Sequence, residues 1–413
     1  MMRSMFSAVS GLRSHQTYMD VVGNNIANVN TTGFKASRVA FQDMLSQTIR
    51  PAGAASPTRG GVNPLQIGLG TVVSNIDTVQ TQGSMQSTGK PTDLALEGDG
   101  FFVLGSGARQ YYTRDGAFDQ AIDGSLVNTA SGLKVMGWQA TNGVVDTTGP
   151  LVPILLPLGQ GMKASASANL AIAGNLPSTT AVGETITTDV TVRDSLGNPH
   201  ALTVTFTRVA GTNTWTWQAA SATTPADPTI TAITPTGTSI SFDANGQIVA
   251  PTSVPTLSIT FNNGADPVAI DLDLANLTQL SGSAAVTATA DGSAAGSLST
   301  FTIDNTGTIV GVYSNGVQEV LGQIALAKFA NPSGLVKAGG NLLSASVNSG
   351  APELGPAGTG GHASISSGFL EMSNVDLAQQ FTNMIMAERG FQANSRVISA
   401  SNEILQDLVN LIR

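Results

Sequence analysis

The chain has 413 residues, enough for two or more domains, and a hydrophobic content of 41% supplies folded cores, so an intrinsically disordered chain is excluded. Only 11% of residues are charged while 46 are glycine, the balance of a turn-rich β protein, and a net charge of −9 argues against nucleic acid as a partner. With no Cys, disulfides and thiolate metal sites are excluded, and no apolar run approaches the roughly 18 residues of a membrane-spanning helix.

From the N-terminus, Met2, Met5, Val9, Leu12, Gln16, Met19, Gly23 and Ile26 recur in steps of three and four, the seam of an amphipathic helix within residues 1–30. Ser4, Ser7, Ser10, Arg13 and His15 break up the apolar run that a cleaved secretory signal requires, so export without one is expected. Arg3 and Arg13 are too few for the basic face of a membrane-lying helix, and no membrane insertion is expected. The helical period stops at Val29–Phe34, where Asn30 and Gly33 tolerate left-handed turns, and Pro51–Pro64 reads as a loop or flap. Residues 31–72 are therefore expected to be a connector.

Residues 73–354 alternate short apolar runs with turn signals, as in an all-β assembly. Leu202, Val204 and Phe206 alternate with Thr203, Thr205 and Thr207, and Leu257, Ile259 and Phe261, then Ile270, Leu272 and Leu274, repeat the pattern. Between Arg208 and Lys328 there is no Lys, Arg or His, while acidic residues run from Asp227 to Glu319, so that stretch cannot hold a polyanion. The Ala, Gly, Ser and Thr of Ser281–Ser299 read as a return linker. The body then divides into an inner β-domain of 73–155 and 290–354 and an inserted outer β-domain of 156–289.

Ser349–Gly361 is a second Gly- and Pro-rich stretch, and 355–371 is expected to be the matching connector, so that both ends leave the body through flexible chain. Beyond it, within 372–413, Leu377, Phe381, Met384, Phe391, Ile398, Leu405, Val409 and Ile412 form a second seam, interrupted by Glu388, Ser395 and Asn402, and Ser373 with Asp376 fits a capping box. At about 1.5 Å per residue, a fully helical stretch from Ser373 to Arg413 is a rod of roughly 60 Å that cannot bury its own apolar stripe. Two destinations for the terminal seams stay open: neighbouring copies, or each other in an intramolecular hairpin.

Catalytic chemistry is sparse. His15, His200 and His362 stand far apart, with no acidic neighbours at metal-ligand spacing. Asp271 and Asp273 share a strand face without a nearby base to tune them, and Asp243–Gly246 and Asp304–Gly307 lack the later Glu of a calcium loop and read as hairpin turns. Gly98-Asp99-Gly100 lacks the P-loop lysine. No enzyme activity, metal or cofactor is expected. The Thr-rich strands with Trp138, Trp215 and Trp217 leave a secreted β-rich adhesin as an alternative.

Ser10–Leu12 and Asp20–Lys35 (Asp-Val-Val-Gly-Asn-Asn-Ile-Ala-Asn-Val-Asn-Thr-Thr-Gly-Phe-Lys) resemble the N-terminal signature of the bacterial flagellar axial proteins, the rod, hook and hook-associated family. Gly368–Leu377 with Met384, Ile385, Arg389 and Asn394 resembles their C-terminal signature, and Glu97–Phe102, Tyr112–Phe118 and Leu321–Asn331 resemble segments shared by hook and distal rod members. Val192–His200, in a middle section far longer than a distal rod protein carries, resembles the outer domain of the hook branch. Pro51–Gly70 resembles the corresponding rod segment, which keeps a distal rod protein as an alternative.

The resemblance implies a mixed, mainly β fold: nested inner and outer β-domains with long N- and C-terminal α-helices that pair in the polymer. It implies a self-assembling subunit of a flexible extracellular tube that transmits motor torque and encloses an export channel, with no reaction catalysed. The implied partners are further copies in a helical polymer, the distal rod protein, a hook cap protein, a hook–filament junction protein and a hook-length control protein. On that reading Met5, Val9, Leu12, Met19, Ile26, Leu377, Phe381, Met384, Phe391, Ile398, Leu405, Val409 and Ile412 form the self-assembly seam. Asn28, Asn30, Gly33, Phe34, Gly355 and Gly361 are the connector or hinge positions.

Overall fold

The computed structural model describes residues 2–411 except 55–58, 108, 142, 158–160, 212, 224–225 and 252–253, and leaves the side chains of residues 106, 408, 409 and 411 undescribed. The chain folds as two units, Met1–Leu156 with Thr302–Val310 and Val320–Arg413, and Pro157–Phe301 with Gly311–Glu319.

The first unit begins with helix α1, Met2–Ala27. At its end the Asn28 amide and side chain both donate to the Asn24 carbonyl, at 3.2 and 2.9 Å, and Gly33 then takes a φ of 65°. A Cβ at Gly33 would stand 2.6 Å from the Asp115 backbone nitrogen, so close approach and dihedral both demand glycine. Residues 37–78 differ from the expected connector. Ser37–Asp43 pairs antiparallel with Thr71–Thr78, Ser46–Arg50 pairs with Leu65–Gly68, and Gly53 bridges Val62, which makes one long hairpin. The β-branched Thr48, Ile49, Ile67, Val72, Val73 and Ile76 favour extended backbone, a signal that the Pro and Gly around them obscured.

The body of this unit is a sheet in the strand order Gln318–Lys328, Lys134–Thr141, Phe101–Ser106, Arg109–Thr113, Leu342–Ser344, Val336–Gly339. Phe101–Ser106 is apolar on both faces because both are covered. Phe102 is buried edge-on against Phe118 at 5.0 Å, while alternation turns Phe101 and Val103 the other way, to pack with Tyr112, Ala327 and Phe329.

The stretch from 353 to 371 is also stitched into ladders. Glu353–Pro356 pairs with Ala325–Lys328, Ser364–Ser367 with Leu94–Glu97, and Phe369–Glu371 with Met85–Ser87. Composition suggested free chain here because the ladder partners lie far away in sequence. Helix α2, Leu377–Leu411, follows. The Ala378 and Gln379 amides donate to Asp376 Oδ1 at 2.9 and 3.2 Å, so Asp376 is the cap; Ser373 Oγ instead accepts from the Val375 amide at 3.3 Å.

The second unit contains two five-stranded sheets. One runs Ile230–Pro235, Thr256–Phe261, Val268–Thr278, Asn169–Asn175, Ala285–Ala290, and the other Thr185–Arg193, Pro199–Arg208, Thr214–Ser221, Ser239–Phe242, Ile248–Ala250. Leu202, Val204 and Phe206 point into a shared core with Trp215, Trp217, Leu257, Ile259, Ile270, Leu272 and Leu274, as their alternation with Thr predicts. Ala285–Ala290, within the expected return linker, is a ladder strand on Asn169–Asn175.

Candidate assembly interface

Helices α1 and α2 pack on each other within one chain and run antiparallel. The partners descend along α2 as they ascend along α1: Gly11 meets Asn394, His15 meets Gly390, and Asn25 Nδ2 donates to Gln380 Oε1 at 3.1 Å. A Cβ on Gly11 would stand 2.8 Å from the Asn394 side chain, and one on Gly390 would collide with the His15 ring. The buried face is made of Ala8, Gly11, Ser14, Val22 and Asn25 on α1, and Ala387 and Ser401 on α2. Small residues let the backbones approach, so the pair closes through its glycines and leaves much of its apolar stripe outside.

The seam residues accordingly flank this contact. Met5, Val9, Leu12, Met19 and Ile26 on α1, and Met384, Ile398 and Leu405 on α2, are half-buried. Leu377, Phe381 and Phe391 are exposed, together with Met2, Phe6, Ile385, Met386, Val397 and Ile404, which the three-and-four stepping passed over or did not single out. Ile412 and the side chain of Val409 lie outside the described residues. The half-exposed apolar band on a folded helix pair is the surface available for contact with other molecules.

The pair is anchored to the β-body by residues drawn from both terminal motifs. Asn25, fully buried, exchanges two hydrogen bonds with the Ser37 backbone at 2.8 and 2.9 Å while also holding Gln380. Asn374 Oδ1 accepts from the Ala36 amide at 2.8 Å and its Nδ2 donates to the carbonyls of Val79 and Thr81. Lys35 Nζ lies 2.6 Å from Glu371 Oε1 and donates to the Thr81 carbonyl, while Arg114 lies 3.3 Å from Glu371 Oε2 and donates to the Gly98 carbonyl. Burial pulls the Lys35 ammonium below its ordinary value, and the bond to Glu371 opposes that pull. Of the connector positions, Gly33, Phe34 and Gly355 are buried, Asn28 is half-buried, and Asn30 and Gly361 are exposed. Sequence reasoning quoted the motifs that contain Asn25, Lys35, Glu371 and Asn374 but missed their roles, because their partners lie across the fold.

The chain is 41% identical to the "Flagellar hook protein FlgE" of Treponema pallidum (strain Nichols), with the whole of both chains covered. It belongs to the flagellar hook protein family.

Four family models match this hook-family chain. They are the "Flagella basal body rod protein" model over residues 5–35, the "Flagellar hook protein FlgE/F/G D1 domain" over 95–196, the "Flagellar basal body protein FlaE D2 domain" over 165–293, and the "Flagellar basal body rod FlgEFG protein C-terminal" model over 366–411. A relative named for the rod, the "Flagellar basal-body rod protein FlgG" of Bacillus subtilis (strain 168), also spans both chains but at a lower identity of 33%. The fold is similar to that of Helicobacter pylori flagellar hook protein FlgE2, with a TM-score of 0.55 over 70% of this chain and 100% of that one at 15% identity. The hook subunit is thus a structural, mainly β protein with paired terminal helices. Trp138, Trp215 and Trp217 are all core residues, the last two fully buried, so they offer no aromatic platform for a glycan. No helix among the described residues is long and apolar enough to cross a membrane.

His200, in the second unit, is buried beneath Phe261, with Asp227 Oδ2 2.7 Å from Nδ1 and Asp194 Oδ2 3.3 Å from Nε2. It knits two loops together. His362 bonds to the backbone carbonyls of Thr359 and Glu353, and His15 packs at a tilt against Phe41 of the hairpin.

Proposed function

We propose that copies of this hook subunit polymerise through the apolar band left on the α1–α2 pair, forming a flexible tube. The observation that supports this most is the composition of that pair. Its buried face is made mostly of small and polar residues, with Val22, while Met2, Phe6, Leu377, Phe381, Ile385 and Ile404 are largely exposed. These side chains are about half exposed, so burying the rest of each against another copy stabilises by about 1–1.5 kcal/mol, which a solitary molecule forgoes. Met5, Val9, Leu12, Met19, Ile26, Met384, Phe391, Ile398 and Leu405 border the same band and complete the seam.

In this reading the helix pairs line an export channel, 73–155 with 290–354 form the inner layer of the wall, and 156–289 form the outer sleeve. The tube transmits motor torque from rod to filament as a universal joint. Compliance resides in weak contacts between acidic outer domains. The subunit works outside the cell, as part of the flagellum. It meets the distal rod protein at one end of the tube, a hook cap protein and later a hook–filament junction protein at the other, and a hook-length control protein during growth.

Phe381→Asp tests the proposal directly. Phe381 is 51% exposed, so the variant keeps its fold, with unchanged near-ultraviolet circular dichroism, and fails to sediment as polymer. Polymer yield equal to that of the unaltered chain would remove the seam from the account.

A further inference from the structure

Beside the buried Lys35–Glu371–Arg114 cluster lies a cavity of about 290 Å³, bounded by the end of α1, the 33–35 segment and the Val336–Ser344 hairpin. Its wall contains three cations, Lys35, Arg114 and Lys337, and no acidic residue. Glu371 answers Lys35 and Arg114, and Asp99 lines a neighbouring cavity that shares Gln80, Phe101 and Arg114 with this one. Lys337 is held over the Phe34 ring at 5.4 Å and donates to Ser37 Oγ at 3.0 Å, with no carboxylate of its own among the described residues. Arg114 is 5% exposed, yet its Nε donates to nothing, and Gln80 Oε1, a buried acceptor on the same wall, accepts nothing. Gly340 and Asn341, with φ of 57° and 60°, make the two-residue turn of the Val336–Ser344 hairpin at the cavity wall.

We propose that this cavity receives an acidic side chain from a second copy of the chain. The cations call for an oxyanion. Arg114 Nε and Gln80 Oε1, an unpaired donor and an unpaired acceptor on residues that line the cavity, can both be met by an Asp or Glu within a peptide, through its carboxylate and its own amide N–H. A single water occupies about 30 Å³ and leaves most of the cavity unfilled and the Lys337 charge unanswered. A chain with 27 acidic residues against 18 Lys and Arg presents carboxylates to its neighbours in abundance. The proposal rests on the assembly reading above. It adds that one contact between copies is electrostatic and lies where the helix pair joins the β-body.

The test uses the full chain and its critical concentration for polymerisation at fixed ionic strength, with N-acetylglutamate and inorganic phosphate as probes. The proposal expects Lys337→Gln to raise the critical concentration by about tenfold or more, as expected when one side of a desolvated charge contact is removed, and Lys337→Arg to restore it. It expects N-acetylglutamate to inhibit assembly of the unaltered chain and to have no further effect on Lys337→Gln. A critical concentration unchanged by Lys337→Gln would overturn it, as would equal inhibition by phosphate, which would mark the occupant as a free oxyanion. An unaltered chain that forms no polymer at all would overturn the assembly reading itself, a result distinct from either.

Discussion

Glu371 is the acidic member of a buried trio in which two cations share one carboxylate, and its charge cannot be removed quietly. Glu371→Gln keeps the shape and leaves Lys35 and Arg114 without their counter-ion. Breaking a buried pair in this way costs about 3–5 kcal/mol, so the variant should lose that much in urea denaturation, and a loss under about 1 kcal/mol would mean that the cluster is solvated in solution. In the second unit, Asp194 is pushed up by burial, but hydrogen bonds from Asn198, Asn263 and His200 outweigh that push and hold it below the carboxylate range; Asp227, bonded by Thr229 and His200, is held at about 2. Carboxyls whose folded values are depressed stabilise the protein above the unfolded value of about 3.9 and lose that contribution as pH falls through the window below it. Fluorescence of the buried Trp215 and Trp217 should therefore report unfolding of this unit below about pH 4, and Asp194→Asn should flatten that dependence; an unchanged slope would refute the assignment. None of these partnerships was legible in the sequence. His200 stood beside Asn198-Pro199 with nothing to mark Asp194 below it or Asp227 across from it.

At the scale of elements, glycines in the helices have opposite expected effects. Gly11 sits against Asn394, so Gly11→Leu forces the helices apart and should cost about 1–3 kcal/mol with faster amide exchange in both α1 and α2. Gly23 has nothing within 4 Å of a built Cβ, so Gly23→Ala should stabilise α1 by up to about 1 kcal/mol. If both substitutions destabilise alike, the antiparallel packing described here is wrong. The two helices and the Thr-alternating strands were legible because period alone identifies them. The contact register was not: stepping through the largest apolar residues follows positions that flank the contact, whereas the buried face is made mostly of glycine, alanine, serine and asparagine, with Val22. The same limit applies to the 37–78 hairpin and the 353–371 strands, where Gly and Pro suggested free chain and distant ladder partners supplied the order.

At the scale of the whole molecule, the terminal motifs gave the family at once, since Asn25, Lys35, Glu371 and Asn374 lie within them and tie the two ends to one body. Composition alone reached only a turn-rich β protein with an acidic, cation-free stretch from 209 to 327. What it could not supply was the partition between contacts made within a chain and contacts left for other copies, because a seam reads the same in both cases. The central claim is that the exposed helix band is completed only by identical neighbours. Electron microscopy of the purified chain, concentrated under native conditions, tests it most directly: the account predicts hollow tubes of uniform width with helix density lining the lumen, and a chain that remains monomeric at every concentration would contradict it.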